Sequence, residues 1–541
     1  MRQNIIDLGR KMSLSEFKDV LISSKKYWLI YLVLIIVLGL STVKFKNVLH
    51  PNFEIGTLLI VAFLGILCIV YYFKHNSDKE LYKVAFVIIL CFGIVISFIV
   101  PLCDVSDETE HLARAELTSR GIIIPHWTGD DLGVDRAYNV SSSHKPAVYN
   151  KGAGFVSIEA LNYLTEPLGK TVYNTPYDTL KIDYTPALIV SAFEQNPFYG
   201  YLPQAIGMDI AKLLDMNVIW MLWLGRIFNL ILYAGLISLA IKKTPVLKMP
   251  ILAVACIPIS IYQAASLSID SMIIGLAILA VAYFLYLYKA EKNSLGIKQV
   301  VIFSVLCLIL GLCKLPYLAF IFLLLLIPFN NFEKGKKIIP YMILCIALVG
   351  ILGIMWSRYS EPALMHSWRS RLKYLDPTGQ MHYFMTHPIF IGRFFSQIFT
   401  YNIAKILYGT FNFFGAAQKT HYSDSYHLIV ATLLMFLAVM LLAYPKKIRF
   451  NKRTRIGTLF IVLMIYVGTC FIQLLTWASV GKLNLGLSTR YFVPLFAMFP
   501  IIGTFRIGWL EKNKDDLDKY AMVFIIAFMA VMVLSFATKY Y

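Results

Sequence analysis

The sequence predicts an all-α protein that crosses a membrane many times, and three observations predict it. The chain of 541 residues is 58% hydrophobic and only 15% charged, whereas soluble domains carry about a quarter charged residues. Its apolar runs, such as 27–43, 55–73 and 81–100, are each long enough to cross a hydrocarbon core of about 30 Å. Lysine and arginine gather in short clusters between these runs, as orientation in a membrane requires.

We predict about thirteen transmembrane helices, within a range of eleven to fourteen. They are 27–43, 55–73, 81–100, 218–241, 249–263, 269–289, 298–312, 315–329, 338–357, 426–444, 456–476, 490–507 and 520–538. The first run follows a basic stretch without a small-residue cleavage site, which indicates a retained helix and not a signal peptide. Segment 389–414 is apolar but carries Arg393 and Lys405. We interpret it as a re-entrant or interfacial helix, with a full crossing as the alternative.

The positions of the basic residues predict the orientation. The richest clusters, including 242–248 and 446–455, fall on the same side as the basic N-terminus. The positive-inside rule therefore predicts a cytoplasmic N-terminus and an external C-terminus. The net charge of +19 does not indicate nucleic acid as a partner, because no long basic stripe or nucleic-acid motif occurs.

One long segment, 101–217, lies between the third and fourth predicted spans and is external in this orientation. It holds 15 of the 31 acidic residues of the chain and eight basic ones. It is long enough to pack as a small subdomain on the membrane surface. Its last part, 203–215, shows the spacing of an amphipathic helix.

A cluster of acidic residues with one histidine follows the third span directly: Asp104, Asp107, Glu108, Glu110 and His111. If 106–120 is helical, Ser106 caps the helix and Asp107 lies one turn from His111. Such a group can take a proton from a hydroxyl or bind a divalent cation. The alternative is that acidic residues simply stabilise the start of a helix.

Two further charged residues lie inside or beside apolar spans, where ionisable groups are candidates for function. Asp270 lies at the outer start of the sixth span, after Ser266 and Ser268, and serves either as a functional carboxylate or as a helix cap. Arg226 lies within the fourth span and either pairs with an acidic group or extends to the interface.

The pattern Pro-x5-Asp-Glu-x2-His-x2-Arg-Ala at 101–115 resembles the signature of a bacterial membrane family, the domain of unknown function 2142 family. Six later segments are similar to further blocks of that family and begin at Tyr201, Gly225, Pro258, Lys314, Asp376 and Thr489. The resemblance covers about residues 81–540. The family's Gln-Gly before the late Arg-Tyr is Ser488-Thr489 in this chain, which leaves these two positions without a role.

This family is similar in architecture to type C glycosyltransferases, which use a sugar carried on a polyprenyl phosphate. The resemblance implies an addition at 1–80, with a cytoplasmic N-terminus and two extra spans, before a type C-like core at 81–541. That core contains the 101–217 loop. It also implies a multi-pass protein of the bacterial cytoplasmic membrane. Fold alone does not fix a reaction, so a transporter or flippase of lipid-linked saccharides and a non-catalytic cell-envelope assembly protein are kept as alternatives.

The resemblance implies a polyprenyl-linked sugar as donor, a cell-surface glycan as acceptor and the lipid bilayer as surroundings. Asp107 is the expected general base, with Glu108 and His111 beside it. The expected phosphate-binding or substrate-binding residues are Arg490, Tyr491, Arg369, Arg371, Lys314, Asp270 and Arg226. No cofactor is required by the pattern, but a divalent cation (Mg²⁺ or Mn²⁺) is left open, with Asp104, Asp107, Glu108 and Glu110 as its ligands.

Overall fold

A computed structural model gives the fold. It describes residues 13–42, 51–75, 77–123, 182, 193, 195–365, 375–412, 430, 433–434, 436–437, 450–503 and 514–541. Within these ranges all regular elements are helices, and an isolated bridge joins Leu295 to Phe332. The predicted all-α class is therefore confirmed.

The α-helices of the first half are α1 (Leu14–Ser23), α2 (Lys25–Thr42), α3 (Pro51–Lys74), α4 (Leu81–Ile99), α5 (Glu108–Ser119), α6 (Leu202–Leu213), α7 (Val218–Lys243), α8 (Lys248–Ala255), α9 (Pro258–Ala264) and α10 (Asp270–Tyr288). A 3-10 turn at Phe198–Tyr201 leads into α6.

The α-helices of the second half are α11 (Ile297–Cys313), α12 (Ile339–Met365), α13 (Pro377–Thr386), α14 (Pro388–Gln397), α15 (Ile403–Phe411), α16 (Lys452–Trp477), α17 (Val493–Phe496), α18 (Phe499–Ile502) and α19 (Lys514–Tyr540). The 3-10 helices are Leu315–Leu326, Phe329–Asn331, Gly335–Ile338 and Thr489–Phe492. A single π turn, Ile398–Asn402, joins α14 to α15.

Seven of the described helices are long and apolar enough to cross a membrane: α3, α4, α7, α10, α12, α16 and α19. The pair α1 and α2, bent by 66°, is an eighth candidate if it counts as one span. All eight coincide with predicted spans, so the prediction of a multi-span membrane protein is confirmed in this coarser form. The count of about thirteen is not confirmed.

The remaining predicted spans differ from long helices. Segment 249–263 forms the short helices α8 and α9, because Pro258 begins a new helix at its first position. Segment 315–329 is largely a 3-10 helix, and 298–312 is the 17-residue helix α11. Residues 490–503 are broken into short helical turns, and 504–507 and most of 426–444 lie outside the described residues. Segment 389–414 contains α14, the π turn and α15, and its crossing stays a prediction.

The first-half helices pack around α7 and α19, whereas α11, α12 and α16 pack around the 3-10 helix Leu315–Leu326. The helix α7 packs against α4, α6 and α10, whereas α19 packs against α2, α3 and α4. In α10 and α19, 94% and 89% of the apolar stretch is buried, compared with 22% in α12. A helix that is apolar all round belongs in the interior, and α10 and α19 lie there.

The predicted amphipathic helix over 203–215 is found as α6, but its apolar residues Ile206, Leu213 and Leu214 are exposed. Its buried positions are Gln204, Ala205, Gly207, Met208 and Ala211. A Cβ at Gly207 would overlap the carbonyl of Leu224, so only glycine lets α6 approach α7 this closely. This contact holds the end of the long loop against the helix bundle, next to the site described below.

Candidate functional site

A cavity of about 280 Å³ lies at the end of the bundle where α4 ends and α10 begins. Side chains from widely separated segments line it, among them His111, Gln195, Asp270, Lys314, Gln473, Trp477, Arg490 and Tyr491. The predicted residues His111, Asp270, Lys314, Arg490 and Tyr491 are therefore brought together. Concave sites with a few converging polar groups are the usual places of ligand binding.

Asp107 joins the end of α4 to the start of α5 in a left-handed backbone conformation, with φ of 61°. Arg490 donates one hydrogen bond to the carbonyl oxygen of Ser106 at 2.8 Å and another to the Asp107 carboxylate. The prediction that Ser106 caps the helix is wrong. The cap position is Asp107, and its side chain makes no capping hydrogen bond because it turns to the guanidinium instead.

Asp270 is the second carboxylate on Arg490. Its Oδ2 lies 3.0 Å from Nε of Arg490 in an ion pair, without the alignment of a hydrogen bond. Ser268 Oγ accepts a hydrogen bond from the backbone N–H of Asp270 at 3.1 Å. The N-cap position of α10 is Ile269 and Asp270 is the first residue of the helix, so Asp270 is not the cap that was one possibility for it. The chain Asp107–Arg490–Asp270 links three segments that lie far apart in the sequence.

The neighbouring residue Glu108 has a separate partner, Arg226, and both side chains are 0% exposed. Arg226 donates to the two carboxylate oxygens of Glu108 at 2.8 and 2.6 Å. It also donates to the carbonyl oxygens of Ser97, Val100 and Pro101 at 2.7 to 2.9 Å. These carbonyls include groups that the end of a helix leaves unpaired.

Arg226 was predicted either to pair with an acidic group or to extend to the interface, and the structure contains the pair. The backbone N–H of Leu267 donates to Glu108 Oε1 at 3.1 Å, so the pair ties α4, α5, α7 and the segment before α10 to one another. Neither Glu108 nor Arg226 lines the cavity. Their geometry is that of a fully hydrogen-bonded buried ion pair. It does not match the predicted roles of Glu108 beside the general base and of Arg226 as a phosphate-binding or substrate-binding residue.

His111 lines the cavity from α5 with both ring nitrogens engaged. Nδ1 lies 2.8 Å from Tyr201 Oη, and Nε2 lies 3.2 Å from Ser268 Oγ. The ring stacks on Phe193 with 4.2 Å between the centroids. Asn196 Nδ2 donates to the same Tyr201 oxygen at 3.0 Å. The histidine therefore connects the loop segment before α6 to the start of α10.

Lys314 lies between α11 and the following 3-10 helix and contributes a cation to the cavity. Its ammonium group lies 3.1 Å from the centroid of the Tyr491 ring, within the range of a cation–π interaction. The structure gives it no hydrogen bond or ion pair among the described residues. Burial lowers the pKa of Lys314 to about 7, against the attraction of Asp270. The backbone oxygen of Tyr491 accepts a hydrogen bond from Tyr317, which fixes the segment that carries Arg490.

The predicted cation ligands do not converge. Asp104 is buried and accepts a hydrogen bond from Tyr540, whereas Asp107 and Glu108 bind Arg490 and Arg226. In the part of the chain that the structure describes, no group of three His, Cys, Asp or Glu side chains could hold a metal ion. The donor set of Asp104, Asp107, Glu108 and Glu110 therefore does not fit a divalent cation, and no step is derived through one.

Two predicted residues, Arg369 and Arg371, lie outside the described residues. The cavity is also lined by six residues that were not predicted from the sequence: Gln195, Asn196, Thr469, Gln473, Thr476 and Trp477. A signal for the last four exists in the sequence. They recur at helical spacing on one face of an apolar span, and polar residues inside spans are candidates for function.

No curated protein matches this chain, and no solved structure matches it. A family model does match, and it covers residues 90–499, which include every residue of the cavity. The chain therefore belongs to the family described as predicted membrane protein (DUF2142).

Proposed function

We propose that this protein is a membrane glycosyltransferase. It moves a sugar from a polyprenyl phosphate or diphosphate donor to a cell-surface glycan on the external face of the bacterial cytoplasmic membrane. The observation that carries the proposal is the combination of charges beside the cavity. Within the described part of the chain, Lys314 offers a cation without an ion pair to a carboxylate, next to the chain Asp107–Arg490–Asp270. A phosphate ester needs such a cation, and a hydroxyl acceptor needs a carboxylate.

The agreement between the predicted topology and the cavity supports the external location. With a cytoplasmic N-terminus, two added spans and a type C-like core after them, four charged residues lie at external ends of different predicted spans: Asp107, Asp270, Lys314 and Arg490. The assignment of sides used only basic clusters and apolar runs. The same four residues surround one cavity or contact a residue that lines it. An odd error in the number of spans between any two of these residues would place them on opposite sides of the membrane.

In the proposed reaction the acceptor hydroxyl oxygen attacks the anomeric carbon of the donor sugar. The new carbon–oxygen bond forms as the bond from that carbon to the phosphate oxygen breaks, and its electron pair stays on the lipid phosphate. The hydroxyl proton passes to the carboxylate of Asp107. Lys314 and Arg490 stabilise the negative charge that grows on the leaving phosphate. Attack from the side opposite the leaving group inverts the anomeric configuration.

The surroundings of the two adjacent acids favour Asp107 as the base. The side chain of Asp107 is 19% exposed, whereas that of Glu108 is fully buried against Arg226. A base must come within hydrogen-bond reach of the proton that it removes. Glu108 has no such access, so it is assigned a positioning role through Arg226.

The substitution Asp107→Asn tests this assignment, because it keeps the size and one acceptor oxygen for Arg490 but removes the basic carboxylate. We expect sugar transfer to fall by about 10²–10⁴-fold, with normal amounts of protein in the membrane. The measurement is transfer of radiolabelled sugar from synthetic polyprenyl phosphosugars by purified protein, together with the surface glycan of a deletion strain that carries the variant.

The matched control is Asp516→Asn, which removes an exposed carboxylate that binds Lys519 far from the cavity. It should leave transfer unchanged. Full restoration of the surface glycan by Asp107→Asn would exclude this residue as the base. Movement of intact lipid-linked sugar across vesicle membranes without any sugar transfer would contradict the enzyme proposal and favour a transporter.

A further inference from the structure

One wall of the cavity carries no charge. It consists of Thr469, Ile472, Gln473, Thr476 and Trp477 of α16, together with Gln195 from the segment before α6, which lines the same cavity. These six residues are called the neutral wall below. The five α16 residues are spaced by three, four, seven and eight positions from Thr469, so they share one face of the helix. Polar groups on one face of an apolar span point to a ligand or a partner.

Among the residues that the structure describes, two polar atoms of the neutral wall find no hydrogen-bond partner. Thr469 is 2% exposed, and its Oγ1 has no hydrogen-bond partner. The Oε1 of Gln195 is also buried without a partner. Each such atom costs about 1–3 kcal/mol when it stays unpaired. A ligand that supplies hydroxyl groups to these atoms would recover this cost on binding.

Trp477 supplies the aromatic surface of the neutral wall, and a glycine fixes its position. Gly486 has φ of +55°, and a Cβ there would overlap the indole ring of Trp477. Only glycine permits both the backbone conformation and the close approach. An indole offers a broad apolar face together with a polar N–H, which suits a ring whose edges carry hydroxyls and whose faces carry C–H groups.

The charged residues lie on other elements. Asp270, Lys314 and Arg490 come from the start of α10, the end of α11 and the segment after α16. The cavity thus combines an ionic side with an uncharged hydrogen-bonding side. Its volume of about 280 Å³ is near the lower end of the range of about 300–1,000 Å³ for small-ligand sites. This favours one sugar ring and its phosphate over an oligosaccharide.

We infer that the neutral wall binds the sugar of the donor, and that this sugar is an uncharged hexose or N-acetylhexosamine and not a uronic acid. A uronic acid would place a carboxylate on a wall whose described residues offer it no cation, and burying an unpaired charge is costly. Because the donor is defined by the proposed function, this inference rests on that function.

The test is binding of four synthetic phosphodiesters of one short polyprenol to the full-length protein in lipid nanodiscs. The esters carry glucose, N-acetylglucosamine, glucuronic acid or a methyl group in place of the sugar. We expect at least one of the two neutral sugars to bind about tenfold or more tighter than the methyl ester. The glucuronic acid ester should bind no better than the methyl ester.

The decisive variant is Thr469→Val, which keeps the shape of the side chain and removes a hydroxyl that bonds to nothing in the protein. It should weaken binding of the neutral sugar ester by about tenfold and leave the methyl ester unchanged. Thr458→Val is the matched control. Thr458 lies on the same helix, its Oγ1 is also buried without a partner, and it does not line the cavity.

Equal weakening of both esters by Thr469→Val, or no weakening, would overturn the inference. So would tight binding of the glucuronic acid ester, or no preference for any sugar over methyl. The two proposals fail separately. Transfer of a uronic acid would contradict this inference and leave the glycosyltransferase proposal intact. The expected binding pattern without any transfer would support sugar binding at the neutral wall and contradict the enzyme proposal.

Discussion

Asp107 and Glu108 are neighbours in the sequence, yet their carboxylates lie in different surroundings. Glu108 is fully buried, with both oxygens held by Arg226. Asp107 is partly exposed and shares Arg490 with Asp270 beside a cavity. Asp107 has a left-handed backbone conformation before α5, whereas Glu108 is the first residue of that helix, so the two side chains leave the chain in different directions.

The difference separates a structural ion pair from a functional one. Arg226 donates hydrogen bonds only to the protein's own groups, and its pair is closed to solvent and ligand. Arg490 and Lys314 line a space that a ligand can enter. The two arginines have the same chemistry and differ in whether a ligand can reach them. Substitutions of Glu108, Arg490 and Lys314 test this difference.

The largest expected effect is on the buried pair. Glu108→Ala leaves Arg226 charged and unpaired in the interior, which should lower the free energy of unfolding by about 3–5 kcal/mol. The measurement is thermal or denaturant unfolding of the purified protein in detergent. Asp107→Asn is the comparison and should cost about 1 kcal/mol or less, since that site is partly exposed. Equal stability of the two variants would remove the distinction between the pairs.

The second effect concerns the shared arginine. Arg490→Ala removes the cation that Asp107 and Asp270 share, so it should destabilise the protein by about 2 kcal/mol. Adding Asp270→Asn to Arg490→Ala should restore part of this loss, with a coupling energy of about 1–3 kcal/mol in the double-mutant cycle. Strict additivity in unfolding experiments would show that the Asp107–Arg490–Asp270 chain does not act as a unit.

The third effect is the pH dependence of anion binding. Burial lowers the pKa of Lys314 to about 7, so the side chain is positive below this pH and neutral above it. Affinity for the polyprenyl methyl phosphodiester, whose charge is constant in this range, should fall by up to about tenfold as the pH rises through 7. Titration of binding in nanodiscs measures this.

The same lysine has a predictable effect on folding. The unfolded chain binds the Lys314 proton more tightly than the ligand-free fold does. The cost to stability is therefore present below about pH 7 and disappears as the pH rises from 7 toward the ordinary value of 10.5. Lys314→Met should abolish both the fall in affinity and the rise in stability over this range. An unchanged binding profile in Lys314→Met would exclude this residue as the anion ligand.

The sequence determined the class of the protein by itself. Apolar runs, their lengths and the basic clusters between them predict a multi-span helical protein, because the bilayer imposes these features one segment at a time. The same local signals located the long loop and the charged residues Asp107, Asp270, Lys314 and Arg490. They predicted regular spans at 249–263 and 315–329, because hydropathy does not show that Pro258 begins a new helix or that 315–326 forms a 3-10 helix.

Only the tertiary structure decided which of these residues meet. Arg490 lies 383 positions from Asp107 in the sequence, and no local spacing pairs it with Asp107 and Asp270 while Glu108 pairs with Arg226. The neutral wall also depends on packing, because Thr469 and Trp477 become part of a cavity only when α16, the start of α10 and the loop before α6 are brought around the same space. Local sequence records which groups a segment carries. Their partners, their burial and their access to a ligand are properties of the assembled helices.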